Sequence, residues 1–212
     1  MFWLNILNTK IVNRKGIVSV IMNSINTQLR SVLVLSKKDH LGEVLLLENL
    51  HEAHAYCKGN NLTGQIGGPL IEQYIKIKYN MTKNNAHDCT GDLCYNGLNL
   101  EIKASFGGKN HKKFNFVQVR MNHICEYVLT AYYLCEENID VNGELFVFRV
   151  TKEQMKELIV NFGGYAHGTV KKHGKITKES LEELENDKEY ALRPMYGDSC
   201  WKALLGYRVD EI

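Results

Sequence analysis

Apolar residues recur along the chain in different rhythms, and the changes of rhythm mark its elements. Over residues 41–57, Leu41, Val44, Leu45, Leu50 and Ala53 fall at helical spacing, with Gly59 as a stop. A polar, glycine-rich connector spans 60–68. Pro69, a residue suited to a first helical turn, opens a second helix through Leu70, Ile71, Tyr74 and Ile75 to about Tyr79, and this helix carries Glu72. The period then drops to two. Two alternating segments, 92–95 and 98–103, flank Asn96-Gly97, a pair that supplies the two positive φ angles of a tight hairpin turn. The pattern predicts a β-hairpin over 91–105. On its second strand Leu98, Leu100, Ile102 and Ala104 share one face, and Asn99, Glu101, Lys103 and Ser105 the other.

A Gly/Lys-rich loop over 106–113 and an extended piece over 114–120 come next. Residues 126–134 and 144–150 read as buried strands, and Thr151-x-x-Gln154 is a capping box opening a helix to about Val160. Residues 161–177 read as a long Gly/His/Lys loop or hairpin, and 178–186 as a short acidic helix. Trp201, Leu204, Leu205, Tyr207 and Val209 close the apolar pattern. Helix, hairpin, strands, helix is the order of a mixed α/β fold, a central mixed sheet flanked by helices, with a less regular C-terminal lobe.

A chain of 212 residues accommodates one core with a modest lobe. The expected division is an N-terminal extension over 1–21, a core over 22–160 and a lobe over 161–212 packed on it. The apolar start (Phe2, Trp3, Leu4, Ile6, Leu7) is broken by Asn13, Arg14 and Lys15, short of the ~20 residues of a membrane span and unlike a secretory signal. Met22 is an alternative start. The six cysteines contain no CxxC pair and read as reduced thiols of a cytoplasmic protein. His87-x-Cys89 and His123-x-Cys125 suggest a zinc site, but zinc ligands are usually paired more tightly, and buried or incidental side chains are the expectation.

Net charge is only +2, yet its distribution is uneven. Residues 102–125 hold Lys103, Lys109, Lys112, Lys113 and Arg120 and no acid. Residues 161–178 hold Lys171, Lys172, Lys175 and Lys178, again without an acid. Two basic islands suit two parts of one polyanion-binding face, the alternative being two solvated loops.

The chemistry concentrates on the hairpin. Glu101 and Lys103 project side by side, and Asp92, at the start of the partner strand, should converge on them. Two carboxylates hold a hard cation, and a neighbouring lysine orients water and holds phosphate, which together are the parts phosphodiester hydrolysis needs. Asp92, eight intervening residues and Glu101-Ile102-Lys103 resemble the PD-(D/E)xK nuclease superfamily, which includes most type II restriction enzymes.

The resemblance implies a restriction-endonuclease-like core and site-specific cleavage of double-stranded DNA. It further implies Mg²⁺ (with Mn²⁺ substituting) held by Asp92 and Glu101, water positioned by Lys103, and Glu72 as a further acid near the metal. It implies a homodimer on a palindrome and a companion DNA methyltransferase. The chain departs from the pattern in having Gly91 where the family often has Pro, and Asp88 competes with Asp92 as first acid. DNA-contact candidates are Lys109, Lys112, Lys113, Gln118 and Arg120 beside the site, His167, Thr169, Lys171, Lys172, His173 and Lys175 in the 161–177 loop, and Arg193. A structure-specific repair nuclease and a non-catalytic DNA-binding module are the rival readings.

Overall fold

The computed structural model describes residues 32–36, 43–85, 88–108, 110–135, 143–168, 170–182 and 188–212. The expected N-terminal extension, Met22, His87, Lys109 and Thr169 lie outside the described residues.

The first expected helix divides in two. Residues 43–47 form a strand, β2 (Glu43–Leu47), paired antiparallel with β1 (Val32–Ser36). The helix α1 (Leu50–Gly59) starts only after Asn49, whose side chain accepts from the Glu52 amide and caps it. A short run such as Val-Leu-Leu-Leu satisfies either period, and pairing with β1 decides it. The second helix, α2 (Gly64–Lys78), begins five residues before Pro69, because the Thr63 carbonyl accepts from the amides of Ile66 and Gly67. Pro69 therefore sits inside the helix. Gly67 lets the Phe106 ring and Cys57 pack directly on the α2 backbone, where any Cβ would collide with that ring.

The central sheet is mixed, with six strands in the order β11-β8-β7-β5-β4-β3. Its strands are β3 (Thr82–Lys83), β4 (Leu93–Tyr95), β5 (Leu98–Ser105), β7 (Glu126–Tyr133), β8 (Glu144–Val150) and β11 (Arg208–Val209). The β4–β5 hairpin turns at Asn96 (φ 50°) and Gly97 (φ 80°), the conformation its sequence demands. Strands β5 and β7 are parallel, with Glu101 opposite Tyr127 and Lys103 opposite Leu129, and β8 runs antiparallel to β7.

Alternation along these strands gives the sheet two apolar faces. Leu93, Leu100, Ile102, Val128 and Val147 bury against α1 and α2. Tyr127, Leu129, Ala131, Phe146, Phe148 and Val150 bury on the opposite side, with Trp201 among them. The Trp201 ring lies 4.9 Å from both Phe114 and Phe146. This second layer holds α3 (Lys152–Phe162), opened by the expected Thr151/Gln154 capping box, and a small antiparallel sheet. That sheet has the order β6 (Phe116–Arg120), β10 (Glu189–Leu192), β9 (Gly164–Tyr165). The described residues of 161–177 form no hairpin of their own. They continue α3, add β9 to β10 and make the single turn α4 (Val170–His173). Two further helices are α5 (Lys178–Glu182) and α6 (Ser199–Leu205). Among the described residues, no helix is long and apolar enough to cross a membrane.

Candidate active site

Asp92 precedes β4, and the chain reaches it through Gly91 at φ +76°. Proline, locked near −65°, cannot adopt that angle, which accounts physically for its absence here. A Cβ on residue 91 would lie 2.8 Å from the Leu100 carbonyl oxygen, so only glycine lets the strand approach so closely. The Asp92 amide donates to that same carbonyl (2.9 Å), and its Oδ2 accepts from the Ile102 amide (2.8 Å). Extending the Leu93–Leu100 register by one residue sets Asp92 opposite Glu101.

Glu101 is 4% exposed, among the few buried charged groups of the described chain. Its Oε1 accepts from Lys103 Nζ at 2.5 Å, as the two-residue period requires. Its Oε2 faces His123 Nδ1 at 3.5 Å. Burial, and then the charge of Glu101, push the Asp92 carboxyl up to about 6, against the pull of Lys103 and the Ile102 amide, while Glu72 pushes it further up. Asp92, Glu101, Lys103 and Glu72 thus share one electrostatic neighbourhood. Glu72 reaches it from α2, with Oε1 3.1 Å from Lys83 Nζ. Asp88 is exposed in the preceding turn, its amide donating to the Asn85 carbonyl, and does not line the cleft.

A cleft of about 740 Å³ opens over these groups, lined by Glu72, Asp92, Lys103, Ser105, Lys113 and Gln118. Glu101, buried and bonded to Lys103, does not line it. The amino end of α2 also borders the cleft through Thr63, Gly64 and Gln65, and Thr63 makes no side-chain capping bond. The positive end of a 15-residue helix therefore borders the same space as Lys103 and Lys113. Gln118 holds φ +57°, a strained angle for a residue other than Gly or Asn, where β6 slips register against β10. The strain leaves Gln118 bordering the cleft from within β6.

The other expected contacts divide. Lys112 and Lys113 are exposed beside the cleft, and Lys113 lines it. Arg120 is committed elsewhere: Nε and Nη2 donate to Glu189 Oε1 at 3.0 and 2.5 Å, tying β6 to β10. His167 is exposed, with Nε2 3.3 Å from Glu189 Oε2. Lys171, Lys172, Lys175 and Arg193 are exposed, and the His173 ring packs 4.8 Å from Tyr165. Among the described residues, none from 161–212 lines the cleft.

Sequence reasoning missed the α2 amino end, because Pro69 drew the helix start forward. It missed Ser105 too, whose Oγ accepts from the Asn115 amide and holds the loop beside the cleft. Of the residues of the two His-x-Cys segments, His123 and Cys125 come together, and the companion the sequence does not announce is Glu101. The Ile124 amide donates to the Cys89 carbonyl (2.7 Å), so the two His-x-Cys segments do adjoin, yet Cys89 is exposed with its Sγ 3.9 Å from Asn122 Nδ2. His123 and Cys125 gather on Glu101 instead.

No protein-family model matches this chain, and it has no significant match among curated proteins or solved structures.

Proposed function

We propose that the chain is a Mg²⁺-dependent endonuclease with a restriction-endonuclease-like core, which hydrolyses double-stranded DNA at a short specific sequence and acts as a homodimer. The observation that carries this reading is Asp92 set opposite Glu101, Glu101 bonded to Lys103, and Asp92, Lys103 and Glu72 lining one open cleft. A solvated face bearing incidental charges would not bury Glu101 to 4% exposure. Asp92 and Glu101 face each other across the hairpin, and a cation between two carboxylates would relieve their mutual repulsion. Their all-oxygen donor set suits a hard ion, so the residues fit Mg²⁺, with Mn²⁺ as substitute.

Asp92 and Glu101 would hold the ion, with Glu72 supporting it. When bound, it supplies Lewis acidity toward the scissile phosphate and lowers the pKa of a coordinated water. Lys103 spends one donor on Glu101 and offers its others to the attacking water and a phosphate oxygen. Lys113 and the amides opening α2 receive the remaining phosphate charge. Gln118 contacts the nucleic-acid backbone as it enters the cleft. The lysines of α4 and its flanks, outside the cleft, take up flanking phosphates of the duplex.

The test is plasmid DNA incubated with the purified protein and Mg²⁺, with and without a chelator. Discrete, chelator-sensitive fragments are expected. Cutting confined to branched substrates would transfer the chain to the structure-specific nucleases, and binding without cleavage in either Mg²⁺ or Mn²⁺ would overturn the catalytic reading.

A further inference from the structure

The carboxylate of Glu101 faces two ways. Oε1 meets Lys103 on the cleft side, while Oε2 meets a pocket of different chemistry. One ligand atom each from Glu101, His123 and Cys125 lies within 4.8 Å of the others. His123 Nδ1 is buried and makes no hydrogen bond. Its 3.5 Å separation from Glu101 Oε2 falls short of a bond, yet it lies in the range of about 3.3–3.8 Å that separates two ligands of one tetrahedral ion with bonds of about 2.0–2.3 Å. A buried, unpartnered imidazole nitrogen beside a carboxylate and a thiol needs an explanation that hydrogen bonding does not give.

From this geometry we infer that Glu101, His123 and Cys125 form a second metal site, selective for a thiophilic divalent ion such as Zn²⁺, back to back with the hard-ion site at Asp92. The donor set decides the class of ion. Thiolate and imidazole favour Zn²⁺ or Co²⁺ over Mg²⁺, which takes oxygen ligands. Three protein ligands leave one tetrahedral position open.

The site is built by the fold. Cys125 leads into β7, beside Tyr127, which stands opposite Glu101 in the parallel register. His123 follows Arg120 in a turn closed by its own amide, and the Tyr127 hydroxyl donates to the Arg120 carbonyl. The segment between the two ligands is pinned on both sides: the Ile124 amide donates to Cys89, and the Ile124 carbonyl accepts from Asn99 Nδ2 at 3.2 Å. Other charges near Cys125 are Lys152 and Asp92.

This inference stands on the donor geometry and does not need the nuclease reading. Its test is a titration of the chelator-treated, full-length protein with Co²⁺, read in the near-ultraviolet and visible. The expected result is a thiolate-to-cobalt charge-transfer band with the d–d absorption of a low-coordinate ion. The band should vanish in Cys125→Ser and persist in Cys89→Ser. Because Cys125 is buried, His123→Gln provides an independent check in the solvent-nearer turn: its affinity for Zn²⁺, measured against a chromophoric chelator, should fall at least about 10-fold. Cobalt binding without the charge-transfer band, a band that survives Cys125→Ser, or unchanged Zn²⁺ affinity in His123→Gln would each overturn the site. Failure of DNA cleavage with the band intact would reject the nuclease reading and leave this one standing.

Discussion

His54 shows how strongly a single buried group can register in stability. It is fully buried on α1, with Nε2 2.8 Å from Thr130 Oγ1 and Nδ1 2.8 Å from the Leu50 carbonyl. Burial lowers its pKa from 6.5 to about 4. The unfolded chain therefore binds a proton that the folded one refuses, and stability is lost as pH falls from 6.5 through 4, up to about 3 kcal/mol. His54→Gln should flatten this part of the pH profile in urea melts, whatever its effect at pH 8. An unchanged slope between those limits would show that His54 titrates freely in the native state. Asp92 opposes it, since its raised pKa adds stability on acidification in the same window, so the comparison must be made between variant and parent.

At the scale of elements, the hairpin is the part of the fold on which the site depends. Gly91 is its most exacting position. Gly91→Ala would place a Cβ 2.8 Å from the Leu100 oxygen at φ +76°, so a loss of about 1–3 kcal/mol is expected, with Asp92 displaced from Glu101. A urea midpoint and cleavage rate both equal to the parent's would contradict that geometry. This hairpin was legible in the sequence because Asn96-Gly97 and the two-residue alternation speak locally, and so the pairing of Glu101 with Lys103 was legible too. The strand over 43–47 was not, since Val44 and Leu45 fit a helix as well as a strand until β1 pairs with them. The small sheet was equally hidden: Arg120 meets Glu189 across 69 residues of sequence, and strands as short as β9 carry no readable period. Gln118 likewise gave no sign of its positive φ, which arises from that non-local register slip.

The whole molecule holds β5 between two apolar layers, α1 and α2 on one face and the Trp201 cluster with α3 on the other. Glu101 and Lys103 therefore occupy a central strand, with Asp92 on its hairpin partner and Glu72 on the covering helix, while Lys171, Lys172 and Lys175 sit exposed outside the cleft. They should separate by role. Replacing Lys171, Lys172 and Lys175 together by Ala should weaken duplex binding and reduce the slope of log affinity against log salt by about 2–3, without loss of fold. An identical slope would remove the α4 region from the DNA face. Arg120→Ala should instead act on stability, because its guanidinium joins β6 to β10 through Glu189.

The central claim is that Asp92, Glu101 and Lys103 act together on a phosphate beside a divalent ion. Single-turnover cleavage of a duplex substrate in saturating Mg²⁺ tests it most directly, with Glu101→Gln and Lys103→Ala compared with the parent at equal far-ultraviolet dichroism. Each variant should lose on the order of 10³-fold in rate or more while still binding DNA. Either variant cutting within about 10-fold of the parent would contradict the account.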